Sequence, residues 1–219
     1  MSAKNNKHDK TTQTSETSKI PIVQPENWQG EALEGLNAFP KATNFVLTQH
    51  RSGSGDNRGL NLLGALAHYP TFAKAFLTFN NHVASNESLS VKERELIILR
   101  TAWLRKSEYE YVQHVVLAQR VGIGPTEFNA IQGGDYRAAF DDKESLLLTA
   151  VDEMVAETRI SRATYQKLAE HYSVHQIMDI VGCYACYETI AVLCNSFDIP
   201  IDPGVEGLDQ ETLARLHGS

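Results

Sequence analysis

Apolar residues recur along most of the chain at the three-to-four-residue spacing of amphipathic helices. The clearest segment begins with the S-x-x-E capping box Ser90–Glu93 and continues to about Arg105. Strict alternation of apolar and polar residues, which is typical of strands, never extends beyond four or five positions. The pattern therefore predicts an all-α fold.

Capping and terminating residues divide this pattern into individual helices. Helices are expected over about 59–67, 71–83, 90–105, 107–121, 124–133, 142–157, 161–172 and 173–196, with a last turn within 208–217. In the second of these, Phe72, Phe76 and Phe79 fall on one side, which we interpret as a core face. A polar, glycine-rich stretch at 51–59 is predicted to be a loop.

The N-terminal 20 residues are rich in Lys, Asn, Thr and Ser and contain almost no apolar side chains. Such a segment cannot offset the entropy lost on ordering. We therefore predict a disordered N-terminal tail over residues 1–25 and one helical domain over residues 26–219.

Composition excludes several classes of partner. The net charge of −7 argues against nucleic acid or an anionic membrane. No apolar run approaches the roughly 20 residues of a membrane span, and no secretory signal is evident. The three cysteines are an odd, clustered set, which is not a disulfide framework and favours a reducing, cytoplasmic location.

Four polar residues fall on apolar helix faces. Glu95 interrupts a stripe of apolar residues at i−4, i+3, i+4 and i+7. Ser107, Glu110 and His114 share one side of the next helix, at i, i+3 and i+7. Because a buried carboxylate is costly unless paired or protonated, two of them beside a histidine indicate a chemical role.

Each of these residues also has a structural interpretation. Glu95 could form a buried ion pair with an arginine such as Arg100 or Arg58. A single His114 is more often a packed core histidine than a catalyst. Ser107 could simply be the N-cap of its helix. These alternatives remain open at this point.

Cys183 and Cys186 form a C-x-x-C motif about ten residues inside an apolar helix. That position is far from a helix N-terminus, where the helix dipole would favour a thiolate. A second C-x-x-C or H-x3-H, as a zinc site would need, is absent from the neighbouring sequence. We interpret the pair as core packing and predict no metal site.

Residues 89–123 resemble the carboxymuconolactone decarboxylase-like family, within the alkylhydroperoxidase D-like superfamily. The matching motifs are RELIILR at 94–100 and YEYVQH at 109–114, and looser similarity extends over about 60–202. The resemblance implies an orthogonal helical bundle that works without a cofactor. It also implies a homotrimer or homohexamer with its pocket near subunit contacts.

The peroxidase members of this superfamily carry C-x-x-C-x-x-x-H on the second helix, with an upstream glutamate. Here His114 and Glu95 occupy the histidine and glutamate positions, but Ser107 and Glu110 stand where the two cysteines would be. Peroxide reduction by thiols needs one sulfur to attack and another to resolve. We therefore predict that this site is not a peroxidase.

The resemblance then implies a decarboxylase-like lyase or isomerase acting on a small, anionic, cyclic substrate such as a carboxylated lactone. We expect His114 to act as the acid or oxyanion partner, Glu110 to set its tautomer, Glu95 to relay protons and Ser107 to donate a hydrogen bond. The substrate-binding residues are predicted to be Arg94, Arg100 and Tyr111. The alternatives are a redox protein that uses Cys183 and Cys186, and a non-catalytic oligomeric binding protein.

Overall fold

The computed structural model describes residues 18–218, and over that range it contains eleven α-helices, two three-residue 3-10 turns and no strand. The predicted all-α fold is therefore confirmed. The helices are α1 (Gly30–Leu36), α2 (Pro40–Ser52), α3 (Leu60–Leu66), α4 (Pro70–Ser85), α5 (Val91–Leu104), α6 (Glu108–Arg120), α7 (Pro125–Gly133), α8 (Asp142–Glu157), α9 (Arg162–Leu168), α10 (Val174–Phe197) and α11 (Gln210–His217).

The centre of the bundle is α5, which packs against α6, α8 and α10. Nearly all of its side chains from Glu95 to Trp103 are buried. A helix that is packed on all sides does not need one polar and one apolar face. Its polar side chains must instead form hydrogen bonds inside the core. The polar residues of α5 are thereby brought next to α6 and α10.

The 24-residue helix α10 is the one described segment that is long and apolar enough, by length and composition, to cross a membrane. Half of its most apolar window is buried inside the bundle, and a central core helix passes the same test. We ascribe its apolar character to contacts with α4, α5 and α6.

The prediction of one phenylalanine face on α4 is wrong for two of its three members. Phe76 is 8% exposed, whereas Phe72 and Phe79 are each 38% exposed. The buried stripe is centred on the intervening positions, so Phe72 and Phe79 lie at its edges. The side chains of α4 that form the buried stripe are Ala73, Phe76, Leu77, Asn80 and Val83.

The predicted N-terminal boundary is also corrected by the structure. The backbone N–H of Lys19 donates to the carbonyl of Phe197 (2.9 Å), and that of Val23 donates to the carbonyl of Gly64 (3.2 Å). A Cβ at Gly64 would lie 2.6 Å from the Val23 carbonyl oxygen, so only glycine permits this approach. Residues 18–25 therefore belong to the domain, and the rest of the predicted tail, residues 1–17, lies outside the described residues.

Helices α1 and α2 were not predicted from the sequence, and α2 continues to Ser52, inside the predicted 51–59 loop. It ends where Gly53 adopts a left-handed conformation, with φ of 63°. The loop therefore starts two residues later than the polar composition indicated.

The capping box at the start of α5 is confirmed. The Ser90 hydroxyl accepts the Glu93 N–H, and Glu93 accepts the Ser90 N–H at 2.8 Å. The other oxygen of Glu93 accepts hydrogen bonds from Tyr172 Oη and Lys143 Nζ, each at 2.8 Å. Burial alone would raise the pKa of Glu93, but these hydrogen bonds outweigh it and lower that pKa to about 2.

We expect Glu93→Gln to lower the free energy of unfolding by about 1–2 kcal/mol at neutral pH, after allowance for solvent screening. Because the folded-state pKa lies below its ordinary value of 4.5, the stabilisation is complete above that pH and is lost as pH falls towards 2. Urea unfolding at several pH values should show the variant and the wild type converging below about pH 4.5. The exposed Glu87→Gln variant is the control, and a difference independent of pH would contradict the prediction.

Candidate functional site

His114 and Glu95 meet at the interface of α6 and α5. His114 Nδ1 lies 2.8 Å from Glu95 Oε2, and their side chains are only 14% and 7% exposed. Glu95 therefore pairs with His114 rather than with Arg100 or Arg58. A carboxylate that accepts Nδ1–H leaves Nε2 as the ring nitrogen available to a substrate.

The other wall beside His114 comes from α10. The Tyr187 ring meets the His114 ring edge-on, with centroids 5.0 Å apart and planes at 90°. Burial raises the pKa of Tyr187 well above its ordinary value, so its hydroxyl stays neutral at working pH. Three helices thus fix the imidazole: α6 carries it, α5 supplies its anion and α10 packs an aromatic ring against it.

Glu110 lies one helical turn before His114 and is only 2% exposed. Within residues 18–218, neither of its carboxyl oxygens has a hydrogen-bond partner. Burial, and secondarily the nearby charge of Glu188, raises its pKa well above the ordinary value. The expectation that Glu110 orients His114 is therefore wrong, because Glu95 on the neighbouring helix takes that position instead.

Ser107 is the N-cap residue of α6, as one alternative proposed, but its hydroxyl makes no capping hydrogen bond. The hydroxyl is fully buried and has no partner among the described side chains and backbone groups. A working serine cap is worth about 1 kcal/mol, and an unsatisfied buried hydroxyl costs about 1–3 kcal/mol. The start of α6 is therefore less stable than it would be if Ser107 capped the helix.

The three cysteines face this region from α10, and all three are free and buried. Asn80 Nδ2 lies 3.2 Å from Cys186 Sγ, but burial dominates and raises the pKa of that thiol to about 12. Burial likewise raises the pKa of Cys183 and Cys194 well above the ordinary value. Such thiols are poor nucleophiles, which supports their interpretation as core packing.

Of the three predicted substrate-binding residues, Arg94 lies nearest the α10 wall. Together with Asp179 and Cys183 it lines a small cleft between α10 and the segment that precedes α5. One of its guanidinium nitrogens, Nη1, donates to the carbonyls of Asn86 (2.9 Å) and Leu89 (2.7 Å). The role of Arg94 in substrate binding stays a prediction.

Arg100 and Tyr111 have partners outside the His114 region. Arg100 pairs with Asp152 at 2.7 Å, and it lies about 140° around α5 from Glu95. The Tyr111 hydroxyl accepts a hydrogen bond from Gln132 Nε2 at 2.9 Å. The structure does not bring either side chain to His114, and their substrate-binding role stays a prediction without geometric support.

Asp202 is a buried carboxylate that sequence reasoning missed. Its Oδ2 accepts hydrogen bonds from the Gly59 N–H (2.6 Å), the Tyr109 hydroxyl (2.9 Å) and Gln113 Nε2 (2.6 Å). Its Oδ1 accepts the Asn61 N–H at 2.7 Å. Asp202 ties the segment after α10 to the start of α3 and to α6, and burial raises its pKa even though these hydrogen bonds lower it.

A large apolar cavity lies away from this site. It has a volume of about 410 Å³ and lies between α3, α4, the end of α10 and the N-terminal segment. Its lining is almost entirely apolar and does not include His114. Across the part of the chain that the structure describes, no three His, Cys, Asp or Glu side chains cluster to hold a metal ion.

Comparison with known families gives a match over residues 70–153, to the carboxymuconolactone decarboxylase family. That range contains Glu95, Ser107, Glu110 and His114. No curated protein matches the sequence.

Several solved structures share the fold. An uncharacterized peroxidase-related protein from Ralstonia eutropha JMP134, with an alkylhydroperoxidase AhpD core, is 16% identical, covers 87% of this chain and 98% of its own, and has a TM-score of 0.67. A second peroxidase-related protein, from Silicibacter sp. TM1040, is 17% identical over 89% of this chain and 97% of its own, with a TM-score of 0.69. The debrominase Bmp8 in complex with 2,3,4-tribromopyrrole is 12% identical over 92% of this chain and 99% of its own, with a TM-score of 0.66. Over residues 70–153 the chain thus matches the carboxymuconolactone decarboxylase family, and it shares the all-helical fold of the structures with an alkylhydroperoxidase AhpD core.

Proposed function

We propose that this protein is a cofactor-free lyase or isomerase that transfers protons on a small carboxylated lactone or related cyclic acid. The observation that carries the proposal is the buried pair of His114 and Glu95, held 2.8 Å apart in a setting that excludes most water. An imidazole oriented by a carboxylate is a general acid and base suited to neutral pH.

In the decarboxylation, the bond between the ring and the substrate carboxylate breaks and carbon dioxide leaves. The electron pair moves into the conjugated lactone carbonyl and forms an extended enolate. His114 Nε2–H then protonates carbon, and the imidazole regains a proton from water before the next turnover. Electrons and atoms balance without an oxidant, a reductant or a metal ion, and Glu95 stabilises the imidazolium form while it exists.

The alternative of thiol redox chemistry has less support. Ser107 and Glu110 replace the peroxidase cysteines, and the thiols on α10 are buried. Bmp8 is a debrominase solved with 2,3,4-tribromopyrrole, so a protein of this fold can bind a small ring. That supports a compact cyclic substrate here, with the carboxylate and lactone groups as our own proposal.

Turnover of a panel of carboxylated butenolides, followed by ultraviolet absorbance and carbon dioxide release, tests the proposal. The wild type is expected to act in the presence of a chelator and without an added cofactor. The Cys183→Ser, Cys186→Ser double variant is the control and should retain activity, because neither thiol takes part. Thiol-dependent peroxide reduction that disappears in this double variant would instead establish the redox alternative.

We also propose that the protein assembles as a homotrimer or homohexamer. Val174, Met178 and Val181 form an apolar stripe on α10 at 3-4 spacing and are between 41% and 66% exposed, and Val192 further along the same helix is 53% exposed. Beside it, Phe79 of α4 lies next to Gly182. Contiguous exposed apolar residues of this kind mark an interaction surface.

Met178→Glu is expected to dissociate the oligomer, because a charge would be buried in the centre of the stripe. Size-exclusion chromatography with light scattering should give a trimer or hexamer for the wild type and a smaller species for the variant. Tyr165→Glu, at a 43% exposed position on α9, is the matched control and should leave the mass unchanged. A monomeric wild type would refute the assembly.

A further inference from the structure

Within residues 18–218, three helices begin with the S-x-x-E/Q pattern of a capping box, and only two of them form both of its hydrogen bonds. At α5 the Ser90 hydroxyl accepts the Glu93 N–H, and at α10 the Ser173 hydroxyl accepts the Gln176 N–H, with each partner bonding back. At α6 the pattern is Ser107-Glu108-Tyr109-Glu110, and neither half of the box is made. The difference must lie in the backbone, since the residue types are those of the α5 box.

The turn before α6 explains why the box does not form. Lys106 adopts a left-handed conformation with φ of 55°, which is unfavourable for a residue with a side chain. Ser107 then has φ of −92° and ψ of 89°, whereas Ser90 has −61° and 158°. The Ser107 N–H donates to the Ala102 carbonyl at 2.9 Å, so it is unavailable to Glu110.

The Glu110 side chain, which the missing box leaves free of the helix start, faces α10. Glu110 is close enough to interact electrostatically with Cys183, Cys186 and Cys194, and with Tyr187. The raised pKa values keep these thiols and the phenol neutral, so none of them provides a positive charge for a Glu110 carboxylate. Glu110 is therefore surrounded on that side by neutral groups.

The charged residues near Glu110 form ion pairs that do not include Glu110. Glu188 of α10 binds Arg105 at 2.6 Å, and Glu95 of α5 binds His114 at 2.8 Å. Among the residues the structure describes, no cation lies within ion-pair distance of Glu110. An ionised carboxylate with neither a cation nor a hydrogen-bond donor is untenable in a core.

We propose that Glu110 is held as a neutral carboxylic acid and that it forms, with the Ser107 hydroxyl, a two-donor site for an oxygen atom of the bound ligand. The two groups lie one turn apart on α6, on the side that carries His114. Burial and the Glu188 charge raise the pKa of Glu110, as the neutral form requires. Local geometry that sacrifices stability in this way is characteristic of functional sites.

This inference rests on the proposed function and assigns Glu110 a different part in it. In decarboxylation the ligand oxygen is the lactone carbonyl, whose negative charge grows as carbon dioxide leaves. Two preorganised donors in a buried site stabilise that charge in the transition state more than they stabilise the ground state. His114 then delivers the proton to carbon from the next turn of the same helix.

Infrared difference spectroscopy of wild type minus Glu110→Gln tests the protonation state without any substrate. A carbonyl band of a protonated carboxyl group is expected at neutral pH, and a carboxylate band in its place would overturn the inference. The titratable groups that face Glu110 are Glu188, the thiols of Cys183, Cys186 and Cys194, and the Tyr187 phenol, so the bands of these groups must be unchanged in the spectra.

Stability provides a second, independent readout. Because the folded-state pKa of Glu110 is raised, the wild type loses stability as pH rises above the ordinary value of 4.5. The urea midpoint of Glu110→Gln should therefore exceed that of the wild type by an amount that grows from about pH 5 to about pH 8. Ser107→Ala should not lower the midpoint, whereas the matched control Ser90→Ala should.

Binding of 4-nitrophenolate, followed by its absorbance shift, tests the donor role. Glu110→Gln keeps an N–H donor and should bind within a few-fold of the wild type, whereas Glu110→Met and Ser107→Ala should each bind at least about tenfold more weakly. Equal binding by all four proteins would overturn the two-donor site. If the phenolate binds as expected but the protein turns over no butenolide, the proposed reaction is refuted and the two-donor site is retained.

Discussion

Replacement of His114 by glutamine is expected to lower kcat on a carboxylated butenolide by about 10²–10⁴-fold, the usual contribution of a positioned general acid. The amide cannot exchange a proton at this position, although it has a similar shape and can still bond Glu95. KM should change much less, because the ligand oxygen is bound elsewhere on α6. Initial rates, with circular dichroism to confirm folding, measure both constants.

The control for His114 is His171→Gln, an exposed histidine near the end of α9, which should retain wild-type rates. Glu95→Gln should also lose activity, and the double Glu95→Gln, His114→Gln variant should be scarcely worse than His114→Gln alone. When two side chains act together, the effects of substituting them are not additive. Losses that multiply would show that the two side chains work independently.

Replacement of Asp202 by alanine is expected to lower the free energy of unfolding by about 3–5 kcal/mol. Four buried or half-buried donors would lose their acceptor together: the N–H groups of Gly59 and Asn61, the Tyr109 hydroxyl and the Gln113 amide. Urea unfolding followed by circular dichroism measures the loss.

A matched comparison for Asp202 is Asp209→Ala, which removes an exposed N-cap of α11 and should lower stability by only about 1 kcal/mol. Similar effects of the two substitutions would show that Asp202 does not tie the C-terminal segment to α3 and α6. Because Asp202 bonds residues about 140 positions away, its loss should also weaken the packing of α3.

Local sequence signals account for much of this fold. The capping boxes at Ser90 and Ser173 define the starts of α5 and α10, because both partners lie within one turn of chain. Helical spacing also placed Glu95 and His114 on apolar faces, so the burial of Glu95 and the low exposure of the His114 side chain could be anticipated. The hydrogen bond between Glu95 and His114 depends on how α5 packs against α6. The residue pattern of a single helix does not contain that information.

Features set by distant contacts were not predictable. Phe72 and Phe79 share the apolar side of α4, and only the packed helices decide that Phe76 alone is buried. The Asp202 network joins segments far apart in sequence. The S-x-x-E pattern at Ser107 is visible in the sequence, but the α6 capping box fails because of the left-handed Lys106 backbone, which only the structure reveals.

A crystal structure with a bound, unreactive carboxylated butenolide tests the central claim most directly, namely that the α5–α6–α10 junction is the active site. The account predicts a ligand carbon within about 3.5 Å of His114 Nε2. It also predicts a carbonyl oxygen about 2.7–3.1 Å from the Ser107 hydroxyl and the Glu110 carboxyl group. Ligand seated instead in the apolar cavity beside Tyr69 and Phe72, with His114 untouched, would contradict it.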